Sequence, residues 1–140
     1  MSPEVRSRIE ASLARQALIQ TFDGKLLDLA EGACTLAAPI TSAVLQQHGA
    51  AHAGLTFALG DSAAGYAALS IMAPGREVMT AEMKINLLAP ALGDRLVAMG
   101  RVLKPGRRLV IVAADVFSEG PETGRHVATL LGTMVPVDPA

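Results

Sequence analysis

The stretch GLTFALGDSAAGYAALSIM, residues 54–72, decides the fold of this 140-residue chain. It contains no run of β-branched residues, which favours one long helix over a strand. Its many glycines and alanines let neighbouring elements approach closely. Apolar or small residues lie on every side of this helix, and a helix that is apolar all round is a buried helix. We therefore expect it to lie at the centre of the protein.

One acidic residue interrupts this apolar region. From Gly32 to Gly75, Asp61 is the only residue with a formal charge. Burying an ionised carboxylate without a partner costs several kcal/mol. We therefore expect Asp61 to have a perturbed pKa or to line a water-filled cleft, and both properties are typical of catalytic residues. The alternative is a structural aspartate that is paired with a lysine or an arginine.

The composition indicates a globular protein, with 51% hydrophobic and 18% charged residues. We expect one domain over residues 1–140, with an N-terminal helical segment over residues 1–20. A formal net charge of −1 gives no electrostatic argument for a nucleic-acid partner. A membrane span over residues 53–73 is disfavoured because Asp61 lies at its centre. No secretory signal is visible, so we expect a cytoplasmic location.

Several kinds of reactive site are excluded by residue type and spacing. A single cysteine, Cys34, excludes an intramolecular disulfide and a multi-cysteine metal site, and we expect it to be buried. His48 and His52 are four residues apart, but Gly49 occupies the place of the glutamate in a zinc-protease motif. The sequence contains neither a Gly-x-Ser-x-Gly elbow nor a phosphate-binding Gly-Lys-Ser/Thr loop. We therefore expect no metal.

The elements around the central helix predict an α+β fold. Ser2 and Pro3 read as the start of a helix that runs towards Leu18, with Ser2 as its N-cap. Strands are predicted over residues 25–29, 33–38, 78–87, 95–103, 108–117 and 126–137, with a polar loop over residues 118–124. This order predicts an antiparallel sheet wrapped around the helix. Because one sheet cannot cover the helix on all sides, we expect a second subunit.

The strand over residues 78–87 has the clearest alternation. It predicts a polar face and an apolar face, and the apolar face consists of Met79, Ala81, Met83, Ile85 and Leu87.

The loop before the central helix carries the residues of a known family. Gln46 is followed six residues later by His52, then by Ala53-Gly54, and Asp61 lies nine residues after His52. This spacing resembles that of the hotdog-fold acyl-CoA thioesterases, and most of all that of the PaaI-type thioesterases of the phenylacetate pathway. In that family a glutamine or asparagine, a His-Gly-Gly sequence and a helical acidic residue typically occupy these positions. The resemblance covers roughly residues 20–137.

The resemblance implies a hotdog fold and the hydrolysis of an acyl- or aroyl-CoA thioester to a free acid and coenzyme A. Asp61 would act as general base or nucleophile. The Ala53 N–H matches the family's oxyanion donor, and a helix N-terminus suits that task. His52 and Gln46 would position the thioester. The alternative for His52 is a helix N-cap or a satisfied core histidine, and the alternative for Gln46 is a plain loop amide. Coenzyme A would be part of the substrate, and no separate cofactor is expected.

In the family, the carboxylate and the oxyanion donor of one site come from different subunits. Helix geometry is compatible with that arrangement here, because the eight residues from Ala53 to Asp61 span about 12 Å. Within a single chain, the Asp61 carboxylate and the Ala53 N–H are therefore too far apart to contact the same thioester carbonyl group. We therefore expect a homodimer or a dimer of dimers with the site between subunits.

Further residues are expected to contact the substrate. Ser62, Gly65 and Tyr66 follow Asp61 on the same helix and would line an acyl pocket, with helix packing as the alternative. Gly54 adjoins the donor. The strand that runs into Asn86-Leu87-Leu88-Ala89-Pro90 matches the family's third strand, and Asn86 is a candidate substrate contact. Cationic side chains suit the phosphates of coenzyme A, and the candidates are Lys84, Lys104, Arg107 and Arg108, with a solvated hairpin tip as the alternative for the last three.

One residue departs from the family pattern. Ala53 stands where a glycine is usual, and alanine resists a positive φ, so a left-handed turn there would misdirect the N–H. The alternative function is a non-catalytic acyl-CoA-binding or regulatory hotdog module. A hotdog dehydratase or hydratase is a second alternative, which the His52-to-Asp61 spacing fits less well.

Overall fold

A computed structural model describes residues 1–121 and 124–140. Its helices are α1 (Pro3–Arg15), α2 (Ala17–Thr21) and α3 (Ala53–Leu69), with a short 3-10 turn at Ser42–Val44. Its strands are β1 (Lys25–Ala30), β2 (Ala33–Pro39), β3 (Glu77–Leu87), β4 (Arg95–Lys104), β5 (Val110–Glu119) and β6 (Arg125–Val137).

The strands form one sheet in the order β1-β2-β4-β5-β6-β3, and every neighbouring pair is antiparallel. The strand that follows α3 in the chain, β3, therefore lies at an edge, where it pairs with β6 from Glu77 to Leu87. Helix α3 packs against β2, β3, β4, β5 and β6. The predicted antiparallel α+β arrangement around a central helix is confirmed.

Small residues allow α3 to lie close to the sheet. A Cβ atom added at Gly100 of β4 would overlap the backbone of Ala63 and Ala64. A Cβ at Gly60 would lie 2.9 Å from the side chain of Leu130. Both glycines therefore hold places where any larger residue would separate the helix from the sheet. The helix begins one residue before the predicted start and ends at Leu69.

One side of α3 stays uncovered in its first half. Gly54 is exposed, and Phe57, Ala58 and Asp61 are only partly buried, whereas most of the other residues of the helix are buried. These four residues follow the spacing of one helix face. The uncovered face therefore runs from the start of α3 to Asp61.

Helix α1 lies against the second half of α3. The Val5 N–H donates to the Ser2 hydroxyl at 3.3 Å, which confirms Ser2 as the N-cap of α1. The Arg8 guanidinium donates to the Leu69 carbonyl at 3.0 Å and so satisfies an end group of α3. The first helix does not continue to Leu18, because the backbone of Gln16 is extended and separates α1 from α2.

Strand β3 corrects the predicted alternation. Its register against β6 shifts between Thr80 and Glu82, and such a bulge reverses the faces of the side chains on either side of it. Val78 and Ile85 pack against the core, but Met79 is 60% exposed. The prediction of one continuous apolar face was wrong, because the bulge directs Thr80 instead of Met79 towards α3.

The other strands lie close to their predicted positions. Strand β5 continues to Glu119, so the polar loop predicted over residues 118–124 starts later than expected, and its residues 122 and 123 lie outside the described residues. Within the described ranges, no helix has the length and apolar character needed to cross a membrane.

Candidate active site

His52 caps the start of α3. Its Nδ1 atom accepts a hydrogen bond from the Gly54 N–H at 2.7 Å, and its own N–H donates to the Val44 carbonyl at 2.8 Å. A Cβ atom at Gly54 would lie 2.9 Å from Nδ1, so glycine makes room for this cap. Because Nδ1 is an acceptor, Nε2 carries the hydrogen of the neutral ring. The cap fixes the first turn of the helix.

The Ala53 N–H is the first N–H of α3 and has no acceptor among the residues that the structure describes. Helix N-terminal N–H groups carry partial positive charge and attract anions. Ala53 has no positive φ; within residues 1–121 and 124–140, only Asp23 has one among the non-glycine residues. The loop's left-handed turn is made at Gly49, with φ 92°. Alanine in place of glycine therefore leaves the helix start unstrained.

Gln46 lies on a closed loop in front of α3. Its N–H donates to the Ala50 carbonyl at 2.8 Å, and its carbonyl accepts from the Gly49 N–H at 3.1 Å. Its side-chain Oε1 accepts from the His48 N–H. The acceptor end of the amide is thus engaged by the loop itself, and the Nε2 hydrogens remain as donors.

A cavity of about 580 Å³ joins Gln46, His52 and Ala53, and we call it the donor cavity. The loop before α3, the first turn of the helix and residues 87–91 form its walls. Its volume is in the range of small-molecule sites. Gly54 lines a smaller neighbouring cavity of about 240 Å³ together with His52.

Asp61 lies in a different cavity. Its Oδ1 accepts a hydrogen bond from the Thr80 hydroxyl at 2.7 Å. Among the described residues, no lysine, arginine or histidine forms an ion pair with it. Burial raises the pKa of the Asp61 carboxyl, and the Thr80 hydrogen bond opposes this increase in part. This raised pKa agrees with the expected perturbation, and the alternative, a structural ion pair, is not formed within the described residues.

The cavity at Asp61 has a volume of about 220 Å³, and we call it the carboxylate cavity. It lies between α3, β3 and the end of α1, and its lining includes Ser62, Gly65 and Tyr66 of α3. Three of the residues expected to contact an acyl group are therefore next to Asp61. Burial raises the pKa of the Tyr66 hydroxyl, so it stays neutral at ordinary pH.

The remaining residues expected to bind substrate lie outside both cavities and are exposed: Lys84 and Asn86 on β3, Lys104 at the end of β4, and Arg107 and Arg108 between β4 and β5. Arg107 lines a separate cavity of about 490 Å³ with Met72 at the far end of α3. A helix of 17 residues is about 25 Å long. The structure therefore does not bring this cationic cluster to Ala53 of the same chain.

Cys34 is buried and free, as expected. Burial raises its pKa to about 12, so it is a thiol and not a thiolate at neutral pH. Within the described part of the chain, no group of three or more histidine, cysteine, aspartate or glutamate side chains is arranged to hold a metal ion.

A sequence profile of the family described as "Thioesterase superfamily" matches residues 48–125, which include the helix start and Asp61. This chain belongs to the thioesterase superfamily. Its six-stranded antiparallel sheet with a central helix is the hotdog fold of that superfamily. The predicted fold and the broader family assignment are confirmed.

Individual relatives agree with this superfamily assignment. A Deinococcus radiodurans protein named "Putative esterase" is 33% identical over 110 residues, which are 78% of this chain and 71% of that protein. The crystal structure of a thioesterase family protein from Silicibacter pomeroyi is 35% identical, with a TM-score of 0.94 over 96% of this chain and 99% of that one.

The PaaI protein from the phenylacetic acid degradation operon of E. coli has a TM-score of 0.85 and 22% identity over 95% of this chain and 93% of that one. At this identity the likeness shows the fold alone.

Six further residues line the carboxylate cavity and are absent from the set expected from the sequence: Ser12, Gln16, Glu77, Val78, Thr80 and Met134. The sequence gives weak evidence for a role of Thr80, because it is a polar residue on a strand next to the central helix. It gives no evidence for a role of Ser12 or Gln16, because nothing in the local sequence connects α1 with Asp61.

Proposed function

We propose that this member of the thioesterase superfamily hydrolyses acyl- or aroyl-CoA thioesters to a free carboxylic acid and coenzyme A. Asp61 carries the proposal. It is a partly buried carboxylate with a raised pKa that lines a cavity and is held by a hydroxyl group instead of a cation. Such a group is poised to take a proton.

Asp61 would act as the general base of the reaction. The ionised carboxylate takes a proton from water while the water oxygen attacks the thioester carbonyl carbon. The carbon–sulfur bond then breaks, and the departing thiolate of coenzyme A takes up a proton. In the other route the Asp61 carboxylate itself attacks the carbonyl carbon and displaces the thiolate of coenzyme A, and water then cleaves the resulting anhydride.

The donor cavity would stabilise the negative charge that develops on the carbonyl oxygen. The Ala53 N–H has no acceptor among the described residues and lies at the positive end of α3. One such donor contributes about 3 kcal/mol of transition-state stabilisation in other hydrolases. The Gln46 amide hydrogens are suited to hold the thioester or the attacking water.

We propose that one active site combines the donor cavity of one subunit with the carboxylate cavity of its partner. Strand β3 is an edge strand of the sheet and pairs only with β6 among the described strands. A second copy that pairs along the free edge around a two-fold axis places the start of one β3 beside the end of the other. Thr80 near the start contacts Asp61, and Leu87 at the end lines the donor cavity.

The surface around β3 supports this pairing. Met79 and Leu87 are 60% and 57% exposed, although both are large apolar side chains on an edge strand. Pairing with a second chain would cover them and the open face of α3, which favours a homodimer or a dimer of dimers.

The finer assignments are also part of the proposal. The Gln46, His52 and Asp61 spacing favours a PaaI-type enzyme. For the phosphates of coenzyme A, the candidates are the exposed cationic side chains of Lys84, Lys104, Arg107 and Arg108, with Asn86 as a neutral contact on β3.

The test is the release of free thiol from a panel of CoA thioesters with short, long and aromatic acyl groups, in parallel with oxygen esters of the same acids. We expect turnover of at least one thioester and its loss in Asp61→Asn. Binding of the thioesters without thiol release would favour the non-catalytic binding module. Turnover of oxygen esters alone would overturn the proposed substrate class.

A further inference from the structure

The carboxylate cavity is lined in part by a segment outside the matched family region. Gln16 lies between α1 and α2, far before residue 48 where the family match begins. It lines the same cavity as Asp61. The family-matched core therefore supplies the carboxylate, and the N-terminal segment supplies part of the wall opposite to it.

Gln16 is held in one orientation by two side chains of α3. Ser62 Oγ donates to Gln16 Oε1 at 2.8 Å, and Gln16 Nε2 donates to the Tyr66 hydroxyl oxygen at 2.9 Å. Ser12 lies 3.2 Å from the same hydroxyl. These bonds fix which end of the amide carries the oxygen. One Nε2 hydrogen of Gln16 has no further acceptor among the described side chains.

The cavity is small and largely polar. Its volume of about 220 Å³ lies below the 300–1,000 Å³ that is usual for sites of drug-sized molecules. Hydroxyl and amide groups from Ser12, Gln16, Ser62 and Tyr66 line it beside Asp61. A long apolar chain would exceed this space and would leave the second Nε2 hydrogen of Gln16 without water or a partner, which is unfavourable.

We propose that Gln16 is a specificity-determining residue that selects short acyl groups carrying a hydrogen-bonding substituent, such as a hydroxyl group. The inference rests on the proposed hydrolysis of CoA thioesters. The free amide hydrogen of Gln16 donates to the substituent. An acyl group without the substituent leaves that hydrogen unpaired, and a site built for a hydrogen bond discriminates against such an analogue.

Gln16 is suited to substitution because its side chain makes no capping bond to either helix. Gln16→Leu keeps a side chain of similar size and removes both ends of the amide. Gln20→Leu is the matched control, because Gln20 is exposed on α2 and its amide donates to the Leu13 carbonyl at 3.0 Å, outside the cavity.

The experiment compares kcat/KM within pairs of thioesters that differ by one hydroxyl group: butanoyl-CoA with β-hydroxybutanoyl-CoA, and benzoyl-CoA with para-hydroxybenzoyl-CoA. We expect the parent to prefer the hydroxylated member of at least one pair by about tenfold, the value of one neutral hydrogen bond. Gln16→Leu should bring this ratio close to one, and Gln20→Leu should leave it unchanged. Palmitoyl-CoA should be a poor substrate of the parent.

The ratio distinguishes a change of specificity from a loss of folding, because a loss of folding lowers kcat/KM for both members of a pair equally. If Gln16→Leu does not fold, Tyr66→Phe removes the phenol that orients the amide and should lower the same ratio. A parent ratio near one in both pairs, or a ratio that these variants leave unchanged, would overturn the role of Gln16. Absence of thiol release from every thioester would instead overturn the proposed function and this inference with it.

Discussion

The two cavities along α3 use different parts of the chain. In the donor cavity the proposed active group is a backbone N–H, held in place by the His52 cap and the loop that Gln46 closes. In the carboxylate cavity the proposed active group is a side chain, Asp61, oriented by Thr80. A backbone donor survives a change of side chain, as alanine at position 53 illustrates. A carboxylate does not, so substitutions should affect the two cavities very differently.

The largest expected effect comes from removing the charge in the carboxylate cavity. Asp61→Asn keeps the shape of the side chain but cannot accept a proton, so we expect turnover to fall by at least about 10²-fold, the lower end of the contribution of a positioned general base. The measurement is kcat on the best thioester, with circular dichroism to verify the fold. Asp28→Asn, which alters an exposed carboxylate on β1, is the control. Unchanged turnover in Asp61→Asn would rule out the mechanism.

The proposed oxyanion donor can be removed by a substitution that eliminates a single backbone N–H. Ala53→Pro removes the N–H at the first position of α3, where proline is tolerated. The preceding residue, His52, already has φ −60° and ψ 140°, which is compatible with a following proline. We expect kcat to fall by about 10²- to 10³-fold with the fold intact. Ala53→Gly keeps the N–H and should retain parental activity. An active Ala53→Pro enzyme would show that the oxyanion donor lies elsewhere.

Mixed oligomers test whether the two cavities meet across subunits. Asp61→Asn and Gln46→Ala chains are each expected to be inactive, but a mixed dimer holds one site with an intact donor cavity and an intact carboxylate. Random mixing should therefore restore about a quarter of parental activity. Mixing Ala53→Pro with Gln46→Ala should restore none, because both lesions damage the donor cavity. Absence of recovery in verified mixed dimers of the first kind would contradict the shared site.

The difference between a side-chain group and a backbone group also explains which parts of the candidate site could be predicted from the sequence. Asp61 stands out because a charge within an apolar region needs a physical reason, and α3 stands out because it is apolar on all sides. Both signals are local. Gln46, His52 and Ala53 can be predicted only from the resemblance to the family, because any residue except proline can supply a backbone N–H.

Contacts between distant residues could not be predicted. Gln16 and Ser62 are 46 positions apart, and no local pattern brings them together. The role of Thr80 was missed because the bulge in β3 depends on pairing with β6, and alternation alone placed Met79 towards the core. Arg107 and Arg108 were predicted to contact substrate because they are positively charged. Only the fold shows that they lie near the end of α3 that is distant from Ala53.

The smallest expected effect concerns the pKa of Asp61 in the carboxylate cavity. A general base must be ionised, so kcat/KM should rise with pH through the pKa of Asp61. Burial raises this pKa above the ordinary value of 3.8, and the Thr80 hydrogen bond lowers it by stabilising the ionised form. Thr80→Val removes that bond, so the acidic limb of the pH–rate profile should move to higher pH, with activity approaching the parental plateau in more alkaline solution. Thr21→Val, which alters a hydroxyl bonded within α2, should leave the limb in place. A limb that moves to lower pH in Thr80→Val, or stays where it is, would mean that another group controls the rate, because loss of a hydrogen bond to a carboxylate can only make its protonated form more favourable.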